Sequence, residues 1–148
     1  MSDVPHDRAT ADPDCLFCRI VRGDIPSRQV YADEHAVVFL DIGAWHRGHS
    51  LVVPRRHVTD LLDGESALTE IAPAVDAASR LLVDRLGADG LNVMSSARAV
   101  AGQEVFHLHV HLIPRYADAP GGLARLVNPH PVSDAELDDV LRQVRGDA

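Results

Sequence analysis

Three short apolar runs lie in the first half of the chain, at residues 29–31, 36–40 and 50–53. They are rich in β-branched and aromatic residues and are bounded by Asp33-Glu34, Gly43 and Pro54, the signature of meander strands. The period then changes. From residue 66 to 86, Leu68, Ile71, Ala72, Val75, Ser79, Leu82 and Leu86 recur at helical spacing, and Gly87 stands where a helix would end. Pro73 predicts that the regular helix begins near it or is kinked there. Residues 91–95 and 105–113 read as two further strands, joined by the Ala/Gly loop 97–102. A short helix is expected over 15–22, ended by Gly23 and Pro26. Ser133 with Glu136 forms a capping box for a last helix running to about Val144.

Five strands and one main helix predict an α+β domain, with the helix on one face of an antiparallel sheet. The expected division is a loose tail over residues 1–13, one domain over 14–117, and a C-terminal extension with a short helix over 118–148. A chain of 148 residues with 46% hydrophobic content suffices for one cored domain. The net charge of −8 argues against sequence-independent binding to nucleic acid, which needs a basic stripe. All 14 basic residues are arginine, so lysine nucleophiles and P-loop lysines are excluded. No apolar run is long enough to span a membrane, and the first 14 residues lack the apolar stretch of a signal peptide, so a cytoplasmic location is expected.

The candidate chemistry lies in Phe106-His-Leu-His-Val-His-Leu-Ile-Pro-Arg-Tyr116. His107, His109 and His111 alternate with aliphatic residues, which on a strand puts three imidazoles on one face and Leu108, Val110 and Leu112 on the other. Same-face neighbours lie about 6.5–7 Å apart, so one phosphate could touch two rings. The second signal is Cys15-Leu-Phe-Cys18, holding the only two cysteines. Such a pair is redox-active or half of a metal site. The redox reading wants a preceding core strand, whereas here a tail precedes it. The metal reading wants two histidines to close a tetrahedron, with His57 and His107 as candidates.

Four blocks, in order and similarly spaced, resemble the histidine triad (HIT) superfamily of nucleotidyl hydrolases and transferases, most of all its bacterial zinc-containing, Hint-like branch. They are residues 15–27 (Cys-Leu-Phe-Cys-Arg-Ile-Val-Arg-Gly-Asp-Ile-Pro-Ser), 38–42 (Val-Phe-Leu-Asp-Ile), 48–58 (Gly-His-Ser-Leu-Val-Val-Pro-Arg-Arg-His-Val) and 101–116 (Ala-Gly-Gln-Glu-Val-Phe-His-Leu-His-Val-His-Leu-Ile-Pro-Arg-Tyr). The resemblance implies that His109 is the nucleophile at the α-phosphorus, that His111 contacts the phosphate and leaving group, and that His49 completes the site. It places Gln103, Glu104 and Val105 against the phosphate and Asp41 at the ribose hydroxyls. Leu16, Phe17, Ile20, Phe39 and Ile42 fall around the purine base, and Cys15, Cys18, His57 and His107 on a structural zinc.

The implied function is cleavage of purine nucleotide conjugates, such as a nucleoside phosphoramidate or an acyl-nucleotide, through a nucleotidyl-histidine, by a homodimer that needs no magnesium. The rivals are a dinucleoside polyphosphate hydrolase or phosphorylase, and a nucleotide-binding module with weak catalysis. On the residues alone Asp41 also reads as turn-forming, and Phe17, Ile20, Phe39 and Ile42 as core. His6, His35, His46 and His130 read as solvated bystanders, Arg55 and Arg56 as an exposed pair, and Trp45 as core or dimer interface. One departure stands out. The family pattern has Asn and Gly where this chain has Ser96 and Arg98. Ser96 keeps one donor for the phosphate, and Arg98 brings a cation beside it that could bind a second phosphate or block the site.

Overall fold

The computed structural model describes residues 12–63, 65–119, 125–127 and 132–146; residues 1–11 of the tail expected over 1–13, His6 among them, and His130 lie outside them. Among the described residues the elements are, in chain order, α1 (Leu16–Arg22), β1 (Gln29–Ala32), β2 (Ala36–Leu40), β3 (Ser50–Pro54), α2 (Ala67–Leu86), β4 (Gly90–Met94), β5 (Val110–Arg115) and α3 (Asp134–Arg145), with a 3₁₀ turn at Ala99–Ala101. The five strands form an antiparallel sheet in the order β1-β2-β3-β5-β4.

The central strands β2 and β3 are buried along their whole length, so each of their faces serves a different core. Ala36, Val38, Leu40 and Val52 join Ile71, Ala74, Ala78 and Leu82 of α2 beneath one face. Val37, Phe39, Leu51 and Val53 point the other way and pack with Phe17 of α1. Period-two alternation thus splits the sheet into a structural face under α2 and a second face that α1 covers only in part.

Helix α2 runs through Pro73 instead of starting at it. Proline removes the bond that residue 73 would donate to the carbonyl of Thr69. Ala67, Ile71 and Ala74, all buried, hold the turns on either side of it to the core. Helix α3 is capped by Ser133, whose side chain accepts from the Glu136 N–H at 3.2 Å, and it sinks Leu137, Val140 and Val144 into the same core as α2. No helix of the described residues is long and apolar enough to cross a membrane.

The expected strand over 105–113 needs correction. The ladder starts only at Val110 and runs to Arg115, so of the three histidines only His111 sits in the sheet. Upstream, the Leu108 N–H bonds to the Val58 carbonyl at 2.8 Å, outside any ladder. The His109 ring bonds to the carbonyl of His107, and the His107 ring to that of Pro54. The alternation survives the loss of the ladder, since Leu108, Val110 and Leu112 all enter the core beneath α2.

Candidate active site and metal cage

The sheet register builds the floor of the site. Phe39 pairs with Leu51, Leu51 with His111, and His111 with Met94, so four side chains on four strands form one row across the second face. All four line a cavity of about 540 Å³. Helix α1 supplies one wall with Leu16, Phe17 and Ile20, continued by Ile25 and Pro26. Asp41, Ile42 and Trp45 come from the β2–β3 loop, and Ser96, Gly102, Glu104 and Val105 from the segment before His109. The whole set expected around a nucleotide, Asp41, Leu16, Phe17, Ile20, Phe39, Ile42, Ser96, Glu104 and Val105, is therefore brought to one cavity. Phe17 stands edge-on to both Phe39 and His109, with ring centroids 5.6 and 5.2 Å apart.

Hydrogen bonds assign the tautomers of the buried rings. The Trp45 backbone N–H can only donate, so His49 Nδ1 accepts it at 3.0 Å. A neutral His49 then carries its proton on Nε2, which lies 2.9 Å from His111 Nδ1. His111 accepts there and keeps its own proton on Nε2, the other edge of a ring that lines the cavity. His109 is fixed the opposite way. Its Nδ1 donates to the His107 carbonyl at 2.8 Å, which leaves Nε2 with a free lone pair. The two rings, 5.0 Å apart, thus offer an electron pair and an N–H to the same space.

Burial, with the neighbouring histidines, lowers the pKa of His49 to about 3 and that of His111 to about 4. Both rings stay neutral through the physiological range and the relay holds. The unfolded chain takes up protons at these rings below about pH 6.5, whereas the folded chain does so only near pH 3–4. Stability is therefore expected to fall as pH drops from about 6.5 towards 4, with no contribution from these rings above that window. Melting temperatures of wild type and His49→Gln across this range check it: the variant should show the shallower acid slope, and an identical slope would refute the assignment.

Asp41 plays two parts. Its Oδ1 accepts the Gly43 N–H at 2.8 Å, closing the turn, while its Oδ2 lies 3.6 Å from His49 Nε2 beside the cavity. Burial raises its pKa. Gln103 and His49 do not line the cavity. Gln103 is buried, and its amide is spent on the backbone: Nε2 donates to the carbonyls of Thr59 (2.7 Å) and Val105 (3.0 Å), and Oε1 accepts from the Arg98 N–H (2.6 Å). The Arg98 guanidinium, expected beside the phosphate, turns instead to Asp60. Arg55 and Arg56 are not an exposed pair but half-buried, bonded to the Asp33 carbonyl and to Glu70. His46 bonds to the Arg125 carbonyl, whereas His35 is exposed.

Sequence reasoning missed Trp45, which stacks on His111 at 5.5 Å and 8°. A lone tryptophan four residues ahead of His49 was the available signal. It also missed Arg28, a cavity wall residue whose Nε reaches Asp138 of α3 at 2.8 Å.

Beside the cavity, Cys15, Cys18, His57 and His107 turn one ligand atom each to a common centre, all within 4.8 Å of one another. Three of the four Sγ–Nδ1 separations are 3.3–3.5 Å (Cys15–His107, Cys18–His57 and Cys18–His107), and the two Nδ1 atoms lie 3.2 Å apart. A tetrahedron with zinc-length bonds has edges of about 3.6 Å for S–N and about 3.4 Å for N–N. The donor set therefore fits a four-coordinate soft metal. The Nε2–H of His107 donates to the Pro54 carbonyl at 2.9 Å, which frees Nδ1 for that role.

The chain matches the family model of the HIT domain over residues 22–118. It is 40% identical over 135 residues to the HIT-like protein MJ0866 of Methanocaldococcus jannaschii, covering 89% of this chain and 99% of that one. It is 32% identical over 131 residues to the adenosine 5'-monophosphoramidase HNT1 of Saccharomyces cerevisiae, covering 88% and 78%. The crystal structure of a Zn-bound histidine triad family protein from Mycobacterium smegmatis superposes with a TM-score of 0.69 at 30% identity, covering 90% of this chain and 94% of that one. With the family match spanning every strand of the sheet and relatives aligned nearly end to end, the chain belongs to the HIT family.

Proposed function

We propose that this chain is a zinc-containing nucleotide hydrolase that cleaves purine nucleotide conjugates at the α-phosphorus through a nucleotidyl-His109 intermediate. The observation that carries the reading is the opposed pair of rings: a lone pair on His109 Nε2 beside an N–H on His111 Nε2, both facing one cavity with apolar walls. That pair is what a two-step displacement at phosphorus needs. In the first step the Nε2–P bond forms, and the bond from phosphorus to the leaving group breaks, its electron pair departing with that group, which takes up a proton from solvent as it leaves. In the second, a water oxygen bonds to phosphorus, the pair of the P–N bond returns to Nε2, and the proton of the water goes to solvent. His111 steadies the phosphoryl oxygens by hydrogen bonding without giving up its proton. Nδ1–H stays on the His107 carbonyl throughout, which steadies the positive charge on the adducted ring.

Asp41 would grip the ribose, and Leu16, Phe17, Ile20, Phe39 and Ile42 would enclose the base. Cys15, Cys18, His57 and His107 would hold zinc. With four protein ligands such an ion is closed to substrate and supplies rigidity alone. The phosphoramidase activity in the name of the yeast relative supports an amide leaving group. We also take the working form to be a homodimer.

A polyphosphate substrate is the weaker reading, because Arg98, the cation that would grip outer phosphates, faces Asp60 and is not in the cavity wall. Release of adenosine monophosphate from adenosine phosphoramidate and from a dinucleoside polyphosphate, measured side by side by chromatography, separates the two. The expected kcat/KM is at least about tenfold higher for the phosphoramidate. The reverse order would move the chain to polyphosphate hydrolysis.

A further inference from the structure

Arg98 sits in a backbone conformation that side chains avoid. Its φ is 79° and its ψ 156°, a region that is almost exclusively glycine's. Among the described residues the other non-glycine with positive φ is Ser66, in the ordinary left-handed region at φ 60° and ψ 12°. Two contacts hold Arg98 there, one hydrogen bond and one ion pair made by a side chain that is itself 60% exposed. Its N–H donates to Gln103 Oε1 at 2.6 Å, and its Nε lies 3.5 Å from Asp60 Oδ2. The Asp60 side chain is 4% exposed, and its other oxygen accepts the N–H groups of Leu62 (2.8 Å) and Asp63 (3.0 Å). Gln103 reaches the same stretch through the Thr59 carbonyl. The 96–103 loop is thus tied to the 59–63 turn by two separate links, and it carries Ser96 and Gly102 into the cavity wall beside His109 and His111.

We infer that Asp60 is a positioning residue: its ion pair with Arg98 holds a strained loop in the shape that presents Ser96 and Gly102 to the α-phosphate. The inference rests on the reading of the cavity as an α-phosphate site. Each partner offsets the other's cost. The buried carboxylate needs a cation, and the strained arginine needs a restraint that a glycine would not. Removing either partner alone leaves the other's cost uncovered, so the loop relaxes away from the phosphate.

The test uses Asp60→Asn, Arg98→Ala and the double variant Asp60→Asn with Arg98→Gly. Three readouts apply: hydrogen exchange at the amide of residue 98, kcat on adenosine phosphoramidate, and the Kd of adenosine monophosphate. In each single variant, exchange at residue 98 should accelerate about tenfold or more, with exchange in the core of α2 unchanged. kcat should fall about 10- to 100-fold, the scale of a misplacement of about 1 Å, while nucleotide affinity changes little because base and ribose lie against other walls. The double variant removes both strain and charge, so protection and kcat should return to within a few-fold of wild type. Wild-type protection at residue 98 in Asp60→Asn would overturn the inference. So would equal impairment of the single and double variants, which would mean that Asp60 serves only its own turn. Should Asp60→Asn fail to fold, Arg98→Ala and the double variant decide by the same comparison. A wild-type protein inactive on the phosphoramidate would sink the α-phosphate reading, while exchange at residue 98 would still decide the clamp.

Discussion

Replacing His109 with alanine is expected to lower kcat on adenosine phosphoramidate by at least about 10⁴-fold, the scale of losing a covalent nucleophile. Binding of adenosine monophosphate should change only a few-fold. The asymmetry follows from the geometry. His109 presents Nε2 to the cavity through one fixed tautomer, whereas the residues proposed to hold base and ribose, Leu16, Phe17, Ile20, Phe39 and Asp41, line the cavity from other elements. The alanine leaves a small void beside Phe17, which stands 5.2 Å from the His109 ring, and removes the attacking electron pair. Kinetics on the phosphoramidate and a binding isotherm check it. Turnover near wild type would show that the nucleophile lies elsewhere.

Cys18→Ser is expected to lose zinc and about 3 kcal/mol of stability or more, a fall of roughly 10 °C in melting temperature for a chain of this size. Cys18 is 2% exposed, and its thiol is pushed up to about 11, chiefly by burial, so without a cation it stays protonated in the interior. The cage joins α1, the segment after β3 and the approach to β5, none of which is tied there by a strand ladder. His107 links it to the chemistry, since its ring faces the cage while its carbonyl holds His109 Nδ1. Elemental analysis and thermal unfolding of wild type and variant are the checks. Stoichiometric zinc with an unchanged melting temperature in the variant would remove Cys18 from the ligand set.

Where one periodicity held along a segment, the sequence was legible. Strand β2 was read to the residue, as were the Ser133 cap and the end of α2 at Gly87, because each has a local cause. The strand before His111 was misread for a physical reason. Alternation reports which side a residue faces, and Leu108 does face the core, but it does not report whether the backbone has a ladder partner. The cysteine pair offered a redox or a metal site before any fold was known, with His57 and His107 already the candidate partners among nine histidines, and the folded geometry brings those four together. Trp45 and Arg28 stayed hidden because stacking on His111 and pairing with α3 join segments far apart in the chain. Arg98 was recognised as a departure, but where its guanidinium goes depends on Asp60, which no local pattern marks.

The stereochemical course at phosphorus tests the central claim most directly. A nucleotide conjugate made chiral at the α-phosphorus with sulfur and oxygen isotopes would be hydrolysed, and the configuration of the product determined. Two in-line displacements, first by His109 and then by water, predict overall retention. Inversion would mean that water attacks the α-phosphorus directly, and that no nucleotidyl-His109 lies on the path.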